Sequence, residues 1–295
     1  MQKKKILFII NPIAGINKKK KIPKLAHQLT DSNKYEVHIA YTQYAGHAKL
    51  LAKKAVNDAF DVVVAVGGDG SINEVAQQLI HTEVALGIVP GGSGNGFARK
   101  LRIPRNRKKA LEVLNEAHTI QCDVGIINNK VFFSNAGVGI EALIVNRFAT
   151  TKVRGFVPYA RWALHSYATY SPQKYTIFCD DMRFESEALF LNFSNSGQYG
   201  YQIGVAPEVS DMTDGLLEMI VVKPFPKWRA LYLLPMFMMG KASSVSYVDV
   251  IQTDKAVIQC EVLTDAQIDG DPAGKATDFE VKVLKGALKV IVPTI

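Results

Sequence analysis

A glycine-rich turn with a single aspartate, Gly-Gly-Asp-Gly at 67–70, is the part of this sequence best suited to chemistry. It follows an apolar, β-branched run at 62–66 and precedes a stretch with helical spacing at 71–80. A strand, a tight turn and a helix N-terminus bring backbone N–H groups and the positive end of a helix dipole to one point, which suits phosphate. The carboxylate of Asp69 repels phosphate unless it serves a metal ion or takes a proton. The turn therefore points to phosphoryl transfer rather than to phosphate binding alone.

A second glycine-rich turn, Pro-Gly-Gly-Ser-Gly-Asn-Gly at 90–96, also lies between an apolar run and a predicted helix. Its dense glycines let the backbone approach a ligand closely, while Ser93 and Asn95 offer side-chain hydrogen bonds. Neither turn matches the Walker pattern or the dinucleotide fingerprint. One glycine loop alone is often only a turn, but two at the same edge of a sheet favour a ligand site.

Other polar residues at strand ends are candidates for phosphate or ribose contacts. Thr42 ends a predicted strand, and Gly46-His47 enters the next predicted helix. For His47, a surface histidine beside a helix cap is an equally good interpretation. Asn11 follows the first predicted strand, where it serves either as a ligand contact or as turn chemistry.

Two acidic clusters stand in the second half of the chain, at 211–218 and 268–272. Each contains Asp-Gly, the commonest hairpin signal, so a plain turn is the favoured interpretation of either cluster alone. Phosphoryl transfer, however, needs oxygen ligands for Mg²⁺ and a base for the attacking hydroxyl. The aspartates available for that work are Asp69, Asp214, Asp269 and Asp271.

The first part of the chain alternates predicted strands with predicted helices. The strands lie at 5–10, 35–41, 62–66 and 85–89, and the helices at 22–29, 45–58 and 71–80. This alternation predicts right-handed βαβ units and a doubly wound parallel sheet. In such sheets ligands bind beyond the carboxyl ends of the strands, where both glycine-rich turns lie.

After Cys122 the pattern changes to short β-rich segments separated by turn residues, with few helices. The predicted strands are 131–134, 174–179, 188–194, 217–222, 246–252, 257–261 and 280–284, and the predicted helices are 141–148 and 159–170. We therefore expect an α/β ATP-binding domain over residues 1–124 and an antiparallel β-sandwich domain over residues 125–285.

The net charge and composition of the chain limit the kinds of partner that we expect for it. A net charge of +8 fits nucleic acid, an anionic membrane surface or phosphorylated small molecules. The lysine clusters at 3–5 and 18–21 are not interleaved with aromatic residues, so we expect no nucleic-acid partner. The three widely spaced cysteines indicate reduced thiols of a cytoplasmic protein. No apolar run reaches the roughly 18–20 residues of a spanning helix, so membrane contact is expected to be peripheral.

Six motifs in this order resemble the diacylglycerol kinase catalytic-domain superfamily, which includes soluble bacterial diacylglycerol and phosphatidylglycerol kinases and the sphingosine and ceramide kinases. The motifs are Asn11-Pro12-x-Ala14-Gly15, Gly67-Gly68-Asp69-Gly70-Ser71-x-Asn73-Glu74, Pro90-x-Gly92-Ser93-x-Asn95, Asn135-Ala136-Gly137-x-Gly139, Asp214-Gly215-Leu216-Leu217-Glu218 and Asp269-Gly270-Asp271. Each motif alone is weak, but the ordered set covers nearly the whole chain and is specific.

The resemblance implies an ATP-dependent lipid kinase that phosphorylates a lipid hydroxyl, with ATP in the cleft between the domains. It also implies that the last strand, within 286–295, returns to the N-terminal domain. The residues implied to bind ATP are Asn11, Pro12, Gly15, Thr42, Gly67, Gly68, Gly70, Ser71, Asn73, Glu74, Gly92, Ser93 and Asn95.

The resemblance also assigns the carboxylates. It implies a structural Mg²⁺ at Asp214, with the backbone near Asp211 and Leu216. Asp271 aligns with a glutamate that accepts the proton in the bacterial enzymes. Asp69 is the rival base, as in sphingosine kinases, and Asp269 completes the set of catalytic candidates.

Three departures bear on the substrate. Gly96 stands where bacterial diacylglycerol kinases carry an aspartate, and the local Gly-Ser-Gly-Asn is similar to sphingosine and ceramide kinases. Asp271 is one methylene shorter than the usual glutamate. Glu141 stands where sphingosine kinases carry an aspartate that recognises the lipid head, so it either pairs with a sphingoid ammonium or simply begins a helix.

The apolar segment at 228–239, flanked by Lys227, Arg229 and Lys241, suits an anionic membrane interface or a helix packed on the sandwich. Two other classes stay open: a nucleotide kinase similar to NAD kinase, and a non-catalytic lipid or nucleotide binder. An edge strand in either sheet offers a route to a homodimer.

Overall fold

The computed structural model describes residues 2–13, 22–92, 94–150, 156–195, 198–199, 203–204, 211–229 and 246–294. The chain divides into two compact units, Met1–Cys122 with Gly286–Ile295, and Asp123–Lys285. The first segment of the first unit ends at Cys122, and the second unit begins at Asp123.

Among its described residues, the first unit contains a parallel sheet and five helices. Its strands are β1 (Lys4–Ile10), β2 (Tyr35–Tyr41), β3 (Val62–Gly67), β4 (Ala85–Pro90), the start of β5 (Thr119–Ile127) and the end of β16 (Asp271–Ile291), and its helices are α1 (Ile22–Leu29), α2 (His47–Asn57), α3 (Asp69–Leu79), α4 (Gly96–Lys100) and α5 (Arg107–Glu116). The strand order is β16-β4-β3-β1-β2, and every pair along it is parallel.

The order of the strands places a topological switch between β1 and β3. From β1 the chain goes outward to β2 on one side, whereas β3 and β4 lie on the other side. Helix α2 packs against α3, and α1 packs against α5. Every residue of β3 and β4 is buried, as expected for central strands covered on both faces. The predicted doubly wound sheet is confirmed, and its switch point is where such folds bind ligands.

The second unit is mainly antiparallel. Its elements are the rest of β5, β6 (Lys130–Phe132), β7 (Asn135–Gly139), α6 (Ile140–Ala149), α7 (Phe156–Thr169), β8 (Gln173–Cys179), β9 (Met182–Ala188), β10 (Phe190–Ser194), β11 (Gln198–Tyr199), β12 (Ile203–Gly204), β13 (Leu217–Val222), a 3₁₀ turn (Lys227–Arg229), β14 (Val248–Thr253), β15 (Lys255–Ile268) and most of β16. The order is β14-β13-β10-β7-β15-β16, with β8 on β15 and β9 on β8. Tyr175, Phe193 and Phe279 lie in its apolar core. The predicted antiparallel β-sandwich is confirmed.

Several predicted strands differ in extent from the observed ones. The segment predicted as one strand at 188–194 is divided between β9 and β10 at Leu189, which donates its N–H to Val222 and accepts from Ile140. The segment predicted at 257–261 belongs to the much longer β15, whose pairing with β16 is irregular between Gln259 and Thr264.

Of the apolar segment at 228–239, residues 230–239 lie outside the described residues. Among the helices of the described ranges, none is long and apolar enough to cross a membrane.

Candidate functional site

The two glycine-rich turns meet at the carboxyl ends of neighbouring strands β3 and β4. Gly67 pairs with Pro90 at the end of this ladder, and Gly91 donates its N–H to the Gly67 carbonyl at 2.7 Å. A Cβ on Gly92 would lie 2.8 Å from the Cα of Gly68, closer than real Cβ contacts come. The two turns can touch only because Gly92 has no side chain.

Asp69 joins the first turn to the second. It is the first residue of α3, and its Oδ2 accepts the backbone N–H of Asn95 at 2.8 Å. Its Oδ1 accepts the backbone N–H of Gly96, also at 2.8 Å. Both carboxylate oxygens therefore hold the backbone at the start of α4.

Asn95 shapes the second turn from inside. It is 3% exposed and has a positive φ of 53°, and its Nδ2 donates to the Gly92 carbonyl at 2.7 Å. Its Oδ1 accepts the N–H of Gly92 at 3.1 Å. Arg99 adds a hydrogen bond from Nη2 to the Gly94 carbonyl at 2.9 Å. The Asn95 side chain is thus engaged within its own loop, and its contact with nucleotide stays a prediction. Two other expected contacts, Ser93 and Gly15, lie outside the described residues.

Asn11 connects the turn after β1 to the first turn of α3. Its Nδ2 donates to Ser71 Oγ at 3.0 Å, and its Oδ1 accepts the N–H of Ile13 at 3.0 Å. Its own N–H donates to the Val66 carbonyl at 3.1 Å. This junction lies at the switch point between β1 and β3, and Pro12 is exposed beside it. The structure thus brings together Asn11 and Ser71, two of the residues that were predicted to bind ATP.

Glu74 reaches the beginning of α2. Its Oε1 accepts the N–H of Gly46 at 3.0 Å. One residue on, His47 stacks on Tyr44 with ring centroids 4.7 Å apart, and its Nδ1 accepts the N–H of Gln43. Thr42 is half-buried just before this segment. The Glu74 carboxylate therefore orders the start of α2 and the residues around it.

The N-terminus of α3 leaves room for an anion. A Cβ built on Gly70 has no heavy atom within 4 Å, and Gly70 is exposed. Gly68 and Ser71 flank it, and Asn73 is half-buried on the next turn of α3. Backbone N–H groups and the positive end of the α3 dipole favour phosphate at such a position.

The second predicted catalytic element, Asp269-Gly270-Asp271, is a two-residue hairpin turn between β15 and β16. Asp269 and Gly270 have positive φ values of 50° and 86°, and Ile268 pairs with Asp271. Oδ1 of Asp269 accepts two backbone N–H groups and Oδ2 a third, at distances of 2.7 to 3.1 Å, from residues 133–135. Asp269 therefore connects the hairpin to residues 133–135, at the start of the neighbouring strand β7. Asp271 is exposed.

Beneath this hairpin lies a buried polar group, here called the amide cluster, made of Asn135, Glu141, Asn192 and Gln267. Glu141 is 2% exposed, and its Oε1 accepts from Asn192 Nδ2 at 3.0 Å and from Gln267 Nε2 at 3.2 Å. Gln267 Nε2 also donates to Asn135 Oδ1 at 2.7 Å. Glu141 does lie in the first turn of α6, but it faces the interior and is not a surface residue.

Tyr175 is buried close to the amide cluster. Burial raises the pKa of the Tyr175 hydroxyl far above its usual value, and the neighbouring Tyr170 and the charge of Glu141 raise it further. The phenol therefore keeps its proton throughout the physiological range.

Sequence reasoning missed Asn192 and Gln267. The available signal was a polar amide at a buried position of a strand, as in Leu191-Asn192-Phe193.

The predicted metal residues lie in a turn at 211–216, here called the acidic turn. Asp214 Oδ1 accepts the N–H of Leu216 at 2.8 Å, and Asp211 Oδ1 accepts the N–H and the hydroxyl of Thr213. The Asp214 carbonyl accepts from Lys285 Nζ at 3.1 Å. These oxygens serve the turn itself and an ammonium group, so they do not fit the expected Mg²⁺ cage. Within the described part of the chain, no group of three His, Cys, Asp or Glu side chains could hold a metal ion.

Sequence reasoning also missed Asp123. It is fully buried, and its Oδ2 accepts the N–H of Gly215 at 2.6 Å, while its own N–H donates to the Met212 carbonyl. The available signal was a single carboxylate between Cys122 and Val124, inside an otherwise apolar strand segment.

Comparison with known proteins decides the family. Residues 5–127 match the model of the diacylglycerol kinase catalytic domain, and residues 134–292 match the YegS C-terminal NAD kinase beta sandwich-like domain. The chain belongs to the diacylglycerol kinase family. As a member of this kinase family it is an ATP-dependent lipid kinase, and the resemblance carried by the six motifs is confirmed.

Relatives and solved structures agree with this membership. A diacylglycerol kinase of Staphylococcus aureus is 28% identical over 283 residues, covering 92% of this chain and 88% of the relative. A crystal structure of a diacylglycerol kinase from Bacillus anthracis aligns with a TM-score of 0.75 at 20% identity, over 99% of this chain and 98% of that one. A second Bacillus anthracis structure aligns with a TM-score of 0.78 at 21% identity, over the same shares of the two chains. The structural likeness shows a shared fold.

Proposed function

We propose that this lipid kinase transfers the γ-phosphoryl group of ATP to the free hydroxyl of a diacylglycerol-type neutral lipid. In-line phosphoryl transfer depends on positioning and electrostatic stabilisation more than on covalent chemistry by the protein. A site of glycine turns and aspartates is chemically sufficient for it.

The ATP phosphates lie, in this proposal, against the N-terminus of α3. The open space at Gly70 and the contact between Gly68 and Gly92 support this placement. Asn11 and Ser71, joined by a hydrogen bond at the switch point, form the adjoining wall. Asp69, Glu74 and Asn95 contribute by ordering the backbone of the loops.

The observation that carries the assignment of the base is the pair of hydrogen bonds on Asp69. Both of its oxygens accept backbone N–H groups at 2.8 Å, so the carboxylate is engaged with Asn95 and Gly96. The role that these contacts give Asp69 is to position the backbone of the second glycine-rich turn. We therefore assign Asp271, which is exposed on its hairpin, as the base that accepts the proton of the lipid hydroxyl. We assign a positioning role to Asp269.

The environment of Glu141 supports a neutral acceptor. Its carboxylate is 2% exposed and accepts hydrogen bonds from two amides, so a sphingoid ammonium would have to displace that packing. A diacylglycerol head group brings a hydroxyl and no charge. The names of the relatives at 28% identity point in the same direction.

We propose that Mg²⁺ binds to the protein together with ATP. Mg²⁺ in kinase sites is usually held by one or two carboxylates together with substrate phosphates, so the absence of a larger acidic group among the described residues fits that arrangement. When bound, the ion would neutralise charge on the ATP phosphates.

We further propose that the protein reaches its lipid substrate by peripheral contact with an anionic membrane. Trp228 is 73% exposed, and the Arg229 guanidinium lies 5.1 Å from its ring centroid. Arg229 also donates a hydrogen bond to the Tyr247 hydroxyl. Trp, Tyr and Arg together suit the polar edge of a bilayer, where amphipathic rings and cations meet head groups.

Labelled phosphate transfer from ATP to a panel of acceptors tests the proposal. We expect transfer to diacylglycerol, and little to sphingoid base, ceramide, phosphatidylglycerol or NAD. Preference for a sphingoid base would refute the interpretation of Glu141, and preference for NAD would make the protein a nucleotide kinase. Transfer to no acceptor, with ATP binding intact, would leave a non-catalytic binder.

A further inference from the structure

The acidic turn at 211–216 is held by contacts from three directions. Asp211 and Asp214 each accept a backbone N–H from a residue two positions on, at 3.0 and 2.8 Å. Buried Asp123 accepts the N–H of Gly215 and donates to the carbonyl of Met212. The third contact comes from the far end of the same unit, from Lys285.

Lys285 lies across the turn and is not simply a solvated surface lysine. Its Nζ donates to the Asp214 carbonyl at 3.1 Å. A Cβ on Gly215 would lie 2.8 Å from Lys285 Cδ and 3.2 Å from Nζ, and Gly215 has a φ of +85°. The aliphatic stem therefore covers Gly215, and the ammonium group lies within hydrogen-bond distance of the Asp214 carbonyl.

A divalent ion in this place would compete with that ammonium group. Mg²⁺ requires about six oxygen ligands in near-ideal octahedral geometry at roughly 2.0–2.1 Å. The Asp214 carbonyl is already an acceptor for a positive group, and an ion bound beside it would be repelled by the fixed charge of Lys285. At the same time the ammonium supplies a positive group at the Asp214 carbonyl of the turn.

We propose that the Lys285 ammonium takes the place of a structural divalent cation at the acidic turn, so that the turn keeps its fold without bound Mg²⁺. The inference concerns only the stability of the second unit. It does not depend on which lipid is phosphorylated or on which aspartate is the base.

Thermal unfolding of the full chain without ATP tests the proposal. The variant is Lys285→Met, which keeps most of the stem and removes the charge. Lys282→Met is the matched control, because Lys282 lies on the same strand and pairs only loosely with Glu280 at 3.9 Å. Each protein is melted in EDTA and in millimolar Mg²⁺.

For the natural protein we expect the same Tm in EDTA and in Mg²⁺. Lys285→Met should lower the Tm in EDTA by about 2–4 °C, the shift typical of losing one favourable contact in a domain of this size. Mg²⁺ should restore most of this loss, and adding Asp214→Asn to the variant should abolish the restoration. Lys282→Met should behave like the natural protein.

Three results would overturn the proposal. One is a rise in the Tm of the natural protein with Mg²⁺ that Asp214→Asn removes, since that shows a metal site despite Lys285. Another is an unchanged Tm in Lys285→Met. The last is a lowered Tm that Mg²⁺ fails to restore, which shows a supporting contact but no exchange of one cation for another.

Discussion

Gln267 Oε1 accepts the backbone N–H of Gly270 at 2.9 Å, so a buried amide holds the turn that carries Asp271. The opposite atom of the same amide, Nε2, donates to Asn135 and Glu141. The position of the proposed base is thus set by residues that do not touch the reacting atoms. Precise placement of a catalytic group matters because a shift of about 1 Å can cost roughly 100-fold in rate.

Gln267→Leu should reduce kcat more than it alters KM for the lipid. It removes two donors from buried acceptors, which costs about 1–3 kcal/mol of stability, and it frees the hairpin at Gly270. We expect kcat to fall about 10-fold or more. Urea unfolding and steady-state kinetics measure the two effects. Gln259→Leu, an exposed glutamine on the same strand, should leave both unchanged. An unaltered kcat in a destabilised Gln267→Leu would show that the amide cluster is structural only.

Gly92→Ala and Gly70→Ala should separate folding of the turns from binding of ATP. Gly92→Ala places a methyl group 2.8 Å from Gly68 Cα, so it should cost about 1–3 kcal/mol and weaken ATP binding. Gly70→Ala meets no protein atom within 4 Å, so the stability should change little while ATP binding falls. Thermal unfolding and ATP titration measure both properties. Normal ATP affinity in Gly70→Ala would place the phosphates elsewhere.

Asp69→Asn should impair ATP use without changing the pH dependence of the residual activity. An amide cannot accept both backbone N–H groups, so the link to Asn95 and Gly96 weakens by about 1.5–3 kcal/mol. We expect a higher KM for ATP and a lower kcat, measured at several pH values. Asp58→Asn, at an exposed helix end, is the control. Loss of the acid limb of the pH–rate profile in Asp69→Asn would return the role of base to Asp69.

The sequence predicts the first unit well because its strands are buried runs and its helices are amphipathic. Helix α5 (Arg107–Glu116) was missed, although Asn106 caps it by accepting from Lys108 and Lys109. The long strands β15 and β16 were underestimated because their exposed stretches lack a clean alternation of apolar and polar residues.

The sequence predicts which loops form the candidate site, but it does not predict the hydrogen-bond partners of several of their side chains. Asn95 and Glu74 looked like ligand contacts because polar residues in glycine loops often are. Their actual partners, Gly92 and Gly46, become known only when the loops are folded. Lys285 is 71 residues from Asp214 in the chain, so no local pattern could join them.

The most direct test of this account is the single-turnover rate of phosphate transfer from ATP to diacylglycerol by Asp271→Asn, measured across pH. We predict a fall of about 100- to 10,000-fold and loss of the acid limb, the effects of removing a general base. ATP binding should be unchanged, and Asp271→Glu, which restores the family's usual residue, should stay active. A wild-type rate with an intact acid limb in Asp271→Asn would contradict the assignment.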